Sequence, residues 1–160
     1  MRYLVILLIS LGLFSSCDKC KDISCENGGD CEDGECICGD WYTGDNCETK
    51  IVEAYEGLYS GTMTCSWYSP YIMRFADVPS EDNEMTIEDL SVGNYMVYNA
   101  VFTSENQFNI PSQIVSNNGF ETVRASGSGT FRSSGLEMSI TITNSTQATP
   151  TLTLCTFVEN

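Results

Sequence analysis

From Lys50 onward the chain alternates. Leu136, Met138, Ile140 and Ile142 fall on one face of an extended segment, and Glu137, Ser139, Thr141 and Thr143 fall on the other. Met85 and Ile87 alternate with Glu84, Thr86 and Glu88 in the same way, and Tyr95, Val97 and Asn99 oppose Met96, Tyr98 and Ala100. Period-two patterning is the signature of half-buried strands, and no stretch repeats with a helical period. Turn-prone groups punctuate the pattern at Ser80–Asn83, Gly93-Asn94, Ser104–Asn106, Asn117–Gly119, Ser126–Gly129, Ser133–Gly135 and Asn144–Pro150. The strands predicted between them are Gly57–Trp67, Tyr71–Ala76, Met85–Leu90, Tyr95–Thr103, Gln107–Ser116, Glu121–Ala125, Gly129–Arg132, Leu136–Thr143 and Thr151–Val158. That spacing predicts a mainly β domain over residues 51–160, either an antiparallel up-and-down barrel or a β-sandwich.

The amino terminus is patterned differently. One cation, Arg2, precedes a largely apolar run from Tyr3 to Phe14 and then Ser15-Ser16-Cys17. The run is too short to cross a bilayer as a helix and suits the apolar core of an export signal over residues 1–16. A cysteine directly after the small pair resembles a bacterial lipobox, although Phe14 stands where that motif favours leucine. The resemblance implies acylation of Cys17 and a membrane tether through its lipid; ordinary secretory cleavage is the alternative.

Residues 17–50 hold seven of the nine cysteines. From Cys20 the spacing is C-x4-C-x5-C-x4-C-x-C-x8-C, in a segment too short to bury its own apolar core. Such a segment reads as a disulfide framework, for which six cysteines allow fifteen pairings and spacing selects none. A zinc site fits poorly, because the chain has no histidine and no second C-x2-C knuckle. A redox role for Cys17 and Cys20 competes with the better use of Cys17 in anchoring. Asn27-Gly28-Gly29, the Cys36-x-Cys38 pair and Tyr42-Thr43-Gly44 before Cys47-Glu48 resemble an epidermal-growth-factor-like module. That resemblance implies Cys20–Cys31, Cys25–Cys36 and Cys38–Cys47. Trp41 departs from it, standing where the family usually has glycine.

Parity then matters. With Cys17 given to lipid, eight cysteines remain: six in the small module, plus Cys65 and Cys155. A Cys65–Cys155 bridge brings the first and last strands together. Neighbours in a closed meander satisfy that distance, and so do strands facing across a sandwich. Cys155 is out of phase with Leu152 and Leu154, which places the expected bridge outside the main core. The Tyr59–Thr62 start, the early cysteine, Ser126–Thr130 and the late cysteine resemble the lipocalin-like, or calycin-like, domains of lipoproteins from Bacteroidota-type bacteria. The resemblance implies a barrel, a binding role and an outer-membrane location.

Charge narrows the chemistry. The chain carries −15, and removal of Arg2 with the signal leaves six cations against 22 acids. Dispersed cations on an acidic chain argue against nucleic acid as a partner. Without histidine, and without a nucleophile elbow, Walker loop or dinucleotide fingerprint, no enzyme or cofactor is expected. The pairs Glu81-Asp82 and Glu88-Asp89 read as solvated charges beside turns rather than a glycosidase couple. The acids Asp30, Glu32, Asp33 and Glu35 belong to a hairpin and its turn. Lys19 stands where calcium-binding members of the small-module family carry an acid, so no metal is expected. Asp30 stands where O-fucosylation requires a hydroxyl, and the Asn144-Ser145-Thr146 sequon has meaning only in a eukaryotic secretory pathway.

The densest candidate for recognition is the aromatic group Trp67, Tyr68, Tyr71 and Phe75 with Arg74 among them. These residues line a barrel mouth or a stacking platform, or else fill one end of the core. The expected function is binding of a small apolar ligand inside the barrel, or of a protein or glycan on its surface. The alternatives are an accessory subunit of a cell-envelope complex and a eukaryotic secreted signalling protein.

Overall fold

The structure, a computed structural model, describes residues 19–66, 70–91, 96–117, 122–144 and 151–160. The segment read as an export signal (residues 1–16), Cys17, Trp67 and Tyr68 lie outside the described residues. The chain divides into two compact units between Glu48 and Thr49, two residues before the boundary expected at Lys50.

The first unit is the disulfide-rich module. Strands β1 (Asp30–Glu32) and β2 (Glu35–Ile37) pair antiparallel, with Cys31 opposite Cys36. Asp33-Gly34 joins them with positive φ at both residues (53° and 97°), the backbone that a two-residue hairpin turn demands. Bridges Cys20–Cys31, Cys25–Cys36 and Cys38–Cys47 staple this hairpin and the short β3 (Tyr42–Thr43) to the chain around them, with Cα separations of 5.9, 5.7 and 5.3 Å. Asn27 Nδ2 donates to the Cys47 carbonyl at 2.8 Å, and Cys47 is fully buried. So few apolar side chains are buried here that the staples supply the order.

The second unit begins with β4 (Thr49–Lys50) and a 3-10 turn over Ile51–Tyr55. Eight strands follow: β5 (Gly57–Met63), β6 (Tyr71–Asp77), β7 (Glu84–Asp89), β8 (Met96–Ser104), β9 (Gln107–Asn117), β10 (Thr122–Arg132), β11 (Gly135–Asn144) and β12 (Thr151–Glu159). Each pairs antiparallel with the next, and β12 pairs with β5, so the sheet is a closed up-and-down barrel rather than a sandwich. Alternation fills its inside with Met73, Phe75, Met85, Ile87, Tyr98, Phe102, Phe108, Ile110, Leu136, Ile140 and Phe157, each almost completely buried.

One end is stoppered by aromatic rings. Phe131 lies at the centre of this group, stacked on Tyr55 of the 3-10 turn at 4.1 Å and within 6.1 Å of Phe75, Phe102, Phe108 and Tyr59. Tyr59 Oη donates to the Tyr55 carbonyl at 2.9 Å, holding the turn in place. Lys50 helps from outside: its ammonium donates to both Asp77 carboxylate oxygens and to the carbonyls of Val78, Pro79 and Glu81.

Three expectations are corrected. Ser126–Gly129 is not a turn: β10 runs unbroken through it, joining the two strands predicted on either side. Gly129 lies in that strand because a Cβ there would sit 2.2 Å from the Phe108 ring. The first barrel strand ends at Met63 rather than Trp67, turned by a Ser66 N–H bond to the Met63 carbonyl. Finally, Cys155 points inward and is fully buried, bridged to Cys65 with Cα atoms 5.2 Å apart. It is Leu152 and Leu154 that face outward.

Gly61 does for β5 what Gly129 does for β10. A Cβ on it would sit 2.2 Å from the Val158 carbonyl oxygen and 2.7 Å from the Phe157 ring. Backbone cannot yield as a flexible side chain can, so Gly61→Ala is expected to cost about 1–3 kcal/mol of stability. Urea unfolding reads this directly, and an unchanged midpoint with an unchanged slope would contradict so close an approach.

Candidate functional site

Of the five aromatic and cationic residues singled out from the sequence, Trp67 and Tyr68 lie outside the described residues, and Tyr71, Arg74 and Phe75 do not share one face. Period-two geometry puts Tyr71 and Phe75 inside β6 and Arg74 outside it. Tyr71 and Phe75 are core residues, packed on Phe157 and on Phe108 and Phe131 respectively. Arg74 instead reaches across the outer surface to Glu88 on β7, the residue opposite it in the register. The cation expected among the rings is therefore an exposed cross-strand ion pair, of the kind worth under about 1 kcal/mol.

A residue the sequence reading treats as solvated has more structural consequence. Asp89 ends β7 in phase with Met85 and Ile87, so its carboxylate enters the barrel and is fully buried. Tyr71 Oη donates to Asp89 Oδ2, and the Ser91 N–H donates to Oδ1 at 2.9 Å. Ser91 Oγ in turn accepts the Ile72 N–H at 2.5 Å and donates to the Ile72 carbonyl at 3.2 Å. This network ties the end of β7 to the start of β6. It corrects the reading of Glu88-Asp89 as a solvated pair: Glu88 is outside, Asp89 inside. The signal lies in the alternation Met85, Ile87, Asp89.

Burial, then the hydrogen bond and charge of Asp89, raises the Tyr71 hydroxyl far above a tyrosine's ordinary range. Tyr98 is raised by burial and then by Asp89. At the stoppered end, Tyr59 is pushed up to about 12, first by burial and then by Glu159 and Tyr55. A raised folded value means that the unfolded chain ionises first. The contribution of these tyrosines to stability is therefore expected to be fully present below pH ~10, where unfolded tyrosine holds its proton, and to fall as pH rises towards 12. Absorbance titration of tyrosinate should show these three hydroxyls ionising only with loss of the fold; early reversible ionisation of every tyrosine in the protein would contradict the burial.

The outside of the barrel carries a different chemistry. Ser128 of β10 stands opposite Ser139 of β11, which stands opposite Thr156 of β12. Thr156 Oγ1 lies 3.2 Å from Thr64 Oγ1, continuing the row past the end of β5. A groove of about 280 Å³ follows this row, lined also by Thr130, Glu137 and Val158. Leu58 of β5 and Leu152, Leu154 and Val158 of β12 are exposed apolar residues, of which Val158 lines the groove. Hydroxyls and methyl groups can hold a partner by hydrogen bonds and apolar contact, with the Glu137 carboxylate beside them. Among the described residues, no group of three or more His, Cys, Asp or Glu is placed to hold a metal ion.

The fold and these surfaces define a class: an eight-stranded antiparallel β-barrel carrying a small disulfide-rich module. Comparisons with protein-family models, with curated proteins and with solved structures give no match.

Proposed function

We propose that this chain is a lipid-anchored cell-envelope protein whose barrel is a solid scaffold, binding a protein or glycan on its outside rather than an apolar ligand within. The observation that carries this reading is the filled interior. Tyr98, Phe75, Phe102, Phe108, Phe157 and Met73 point into the barrel and are almost completely buried, in an eight-stranded interior with room for side chains or for one small ligand. The polar groove and the exposed leucines supply contact surface on the other face of the same strands.

The finer relationships rest on the same grounds. Bridges joining first to third, second to fourth and fifth to sixth cysteine support the likeness of the module to epidermal-growth-factor-like domains. A closed eight-stranded meander with a 3-10 turn at one end supports the likeness of the barrel to lipocalin-like domains. With eight cysteines paired, Cys17 is the one left for acylation at an outer membrane. Several acyl chains hold a protein firmly, at roughly 0.8 kcal/mol for each buried methylene.

Two measurements test the proposal. Cys17→Ala should move the protein from the membrane to the soluble fraction, and persistent attachment would refute the anchor. Organic extracts of the purified Cys17→Ala protein should contain no stoichiometric lipid. A bound lipid at one per chain would move the function back inside the barrel.

A further inference from the structure

The oxygens of the turn between β6 and β7 converge on a single point. There the Lys50 ammonium lies 3.4 Å from both carboxylate oxygens of Asp77, 3.3 Å from the carbonyls of Val78 and Pro79, and 2.9 Å from the carbonyl of Glu81. Ammonium and carboxylate are both largely withdrawn from solvent, their side chains 13% and 15% exposed. Backbone bonds hold the turn in this shape. The Val78 N–H donates to the Glu84 carbonyl, the Glu81 N–H to the Val78 carbonyl, and the Asp77 N–H to Glu56 Oε1.

An ammonium has about three protons to give, fewer than the five oxygens around it. Contacts shared in this way are those of a cation held by surrounding dipoles rather than of three directed hydrogen bonds. A carboxylate joined by main-chain carbonyls is also the donor set that hard metal cations take. Distance then sets the size of the cation. Calcium needs oxygens at ~2.3–2.6 Å and magnesium at ~2.0–2.1 Å. Potassium, whose hydration shell carbonyl oxygens can replace, is close to an ammonium in size. Asp77, Glu81, Asp82 and Glu84 crowd the same turn, so a positive charge at its centre offsets repulsion among them.

We propose that residues 77–81 form a binding site for a large monovalent cation, and that the chain fills it with its own, the Lys50 ammonium. Tethering gives this ammonium an effective concentration that dissolved salt does not reach, so the site is closed to free ions while Lys50 is in place. Lys50 immediately precedes the Ile51–Tyr55 turn, whose Tyr55 ring stacks on Phe131 at the stoppered end of the barrel. The captured cation therefore anchors the start of the stopper, and Lys50 is a positioning residue for it. Once the lysine is removed, a potassium or ammonium ion from solvent can supply the same charge to the same oxygens.

The test uses the exported, oxidised full chain with Cys17→Ala. Adding Lys50→Ala should lower the melting temperature in tetramethylammonium chloride, whose cation is too large for the site. At the same ionic strength, potassium or ammonium chloride should raise it again, by about 5 °C at about ten times the dissociation constant. The chain that keeps Lys50 should melt at one temperature in all three salts. Asp77→Asn added to Lys50→Ala removes the anionic ligand and should abolish the recovery. With Lys50 in place, acetic anhydride should acetylate it far more slowly than Lys19, whose side chain is 62% exposed, and equally fast once the chain is unfolded. A Lys50→Ala chain that melts alike in every salt, or folds in none, overturns the proposal. So does a recovery that survives Asp77→Asn, or one that calcium gives in preference to potassium. Acetylation of folded Lys50 as fast as of Lys19 overturns it too.

Discussion

Replacing Cys65 and Cys155 together by alanine is expected to lower the stability of the barrel by about 4–5 kcal/mol, the largest single effect in the molecule. The bridge spans 90 residues, and in the chain-entropy account a loop of that length costs the unfolded state roughly this much freedom. The native contribution adds to it, because Cys155 is fully buried between Ile140 of β11 and the end of β5. Here the bridge also secures the seam where the meander closes. Three register pairs join β12 to β5, against eight between β12 and β11. A domain of this size has about 5–15 kcal/mol in total, so the double variant is expected to be partly unfolded at ~37 °C. Guanidinium titration with the module bridges intact measures the difference. A loss below about 1 kcal/mol would mean that the seam holds without its staple.

The second large effect is expected at Phe131. Its ring touches Tyr55, Tyr59, Phe75, Phe102 and Phe108, so it links the 3-10 turn to the inner faces of four strands. Phe131→Ala removes that hub and leaves a cavity that the surrounding strands can only partly collapse, at a cost of about 3–5 kcal/mol. The same variant probes the filled interior. A dry apolar hole of benzene size should bind benzene or xenon, raising the melting temperature of Phe131→Ala and not that of the unsubstituted chain. Equal stabilisation of both proteins would show that the barrel already holds an empty chamber.

Much of the fold is legible in the residues alone, and the failures share a cause. The faces of Met85–Ile87 and Leu136–Ile140 follow from alternation because every inward position there is apolar. Cys155 falls on the wrong side of the expected strand because Leu152 and Leu154 look like core residues. They lie beyond the end of β5, where no described strand of the barrel covers them. Ser126–Gly129 looks like a turn because serine and glycine ordinarily mark one. Its glycines serve instead to admit close neighbours, the Phe108 ring at Gly129 above all, a long-range contact with no local signature. Asp89 shows the opposite error, its charge outweighing its phase. Tyr71, Arg74 and Phe75 group by adjacency in the sequence, whereas a strand sends neighbours to opposite faces. The cysteine spacing marks a framework, but the module pairing comes from resemblance to a family.

The four bridges, three in the small module and one across the barrel seam, use eight of the nine cysteines, and the proposed function gives the ninth, Cys17, to a lipid. Peptide mapping of the unreduced, membrane-purified protein by mass spectrometry tests it in a single experiment. The predicted result is four linked pairs, Cys20–Cys31, Cys25–Cys36, Cys38–Cys47 and Cys65–Cys155, with an acylated Cys17 at the mature amino terminus. Cys17 found as a free thiol or in a disulfide, or Cys65 or Cys155 joined to the module, would contradict it.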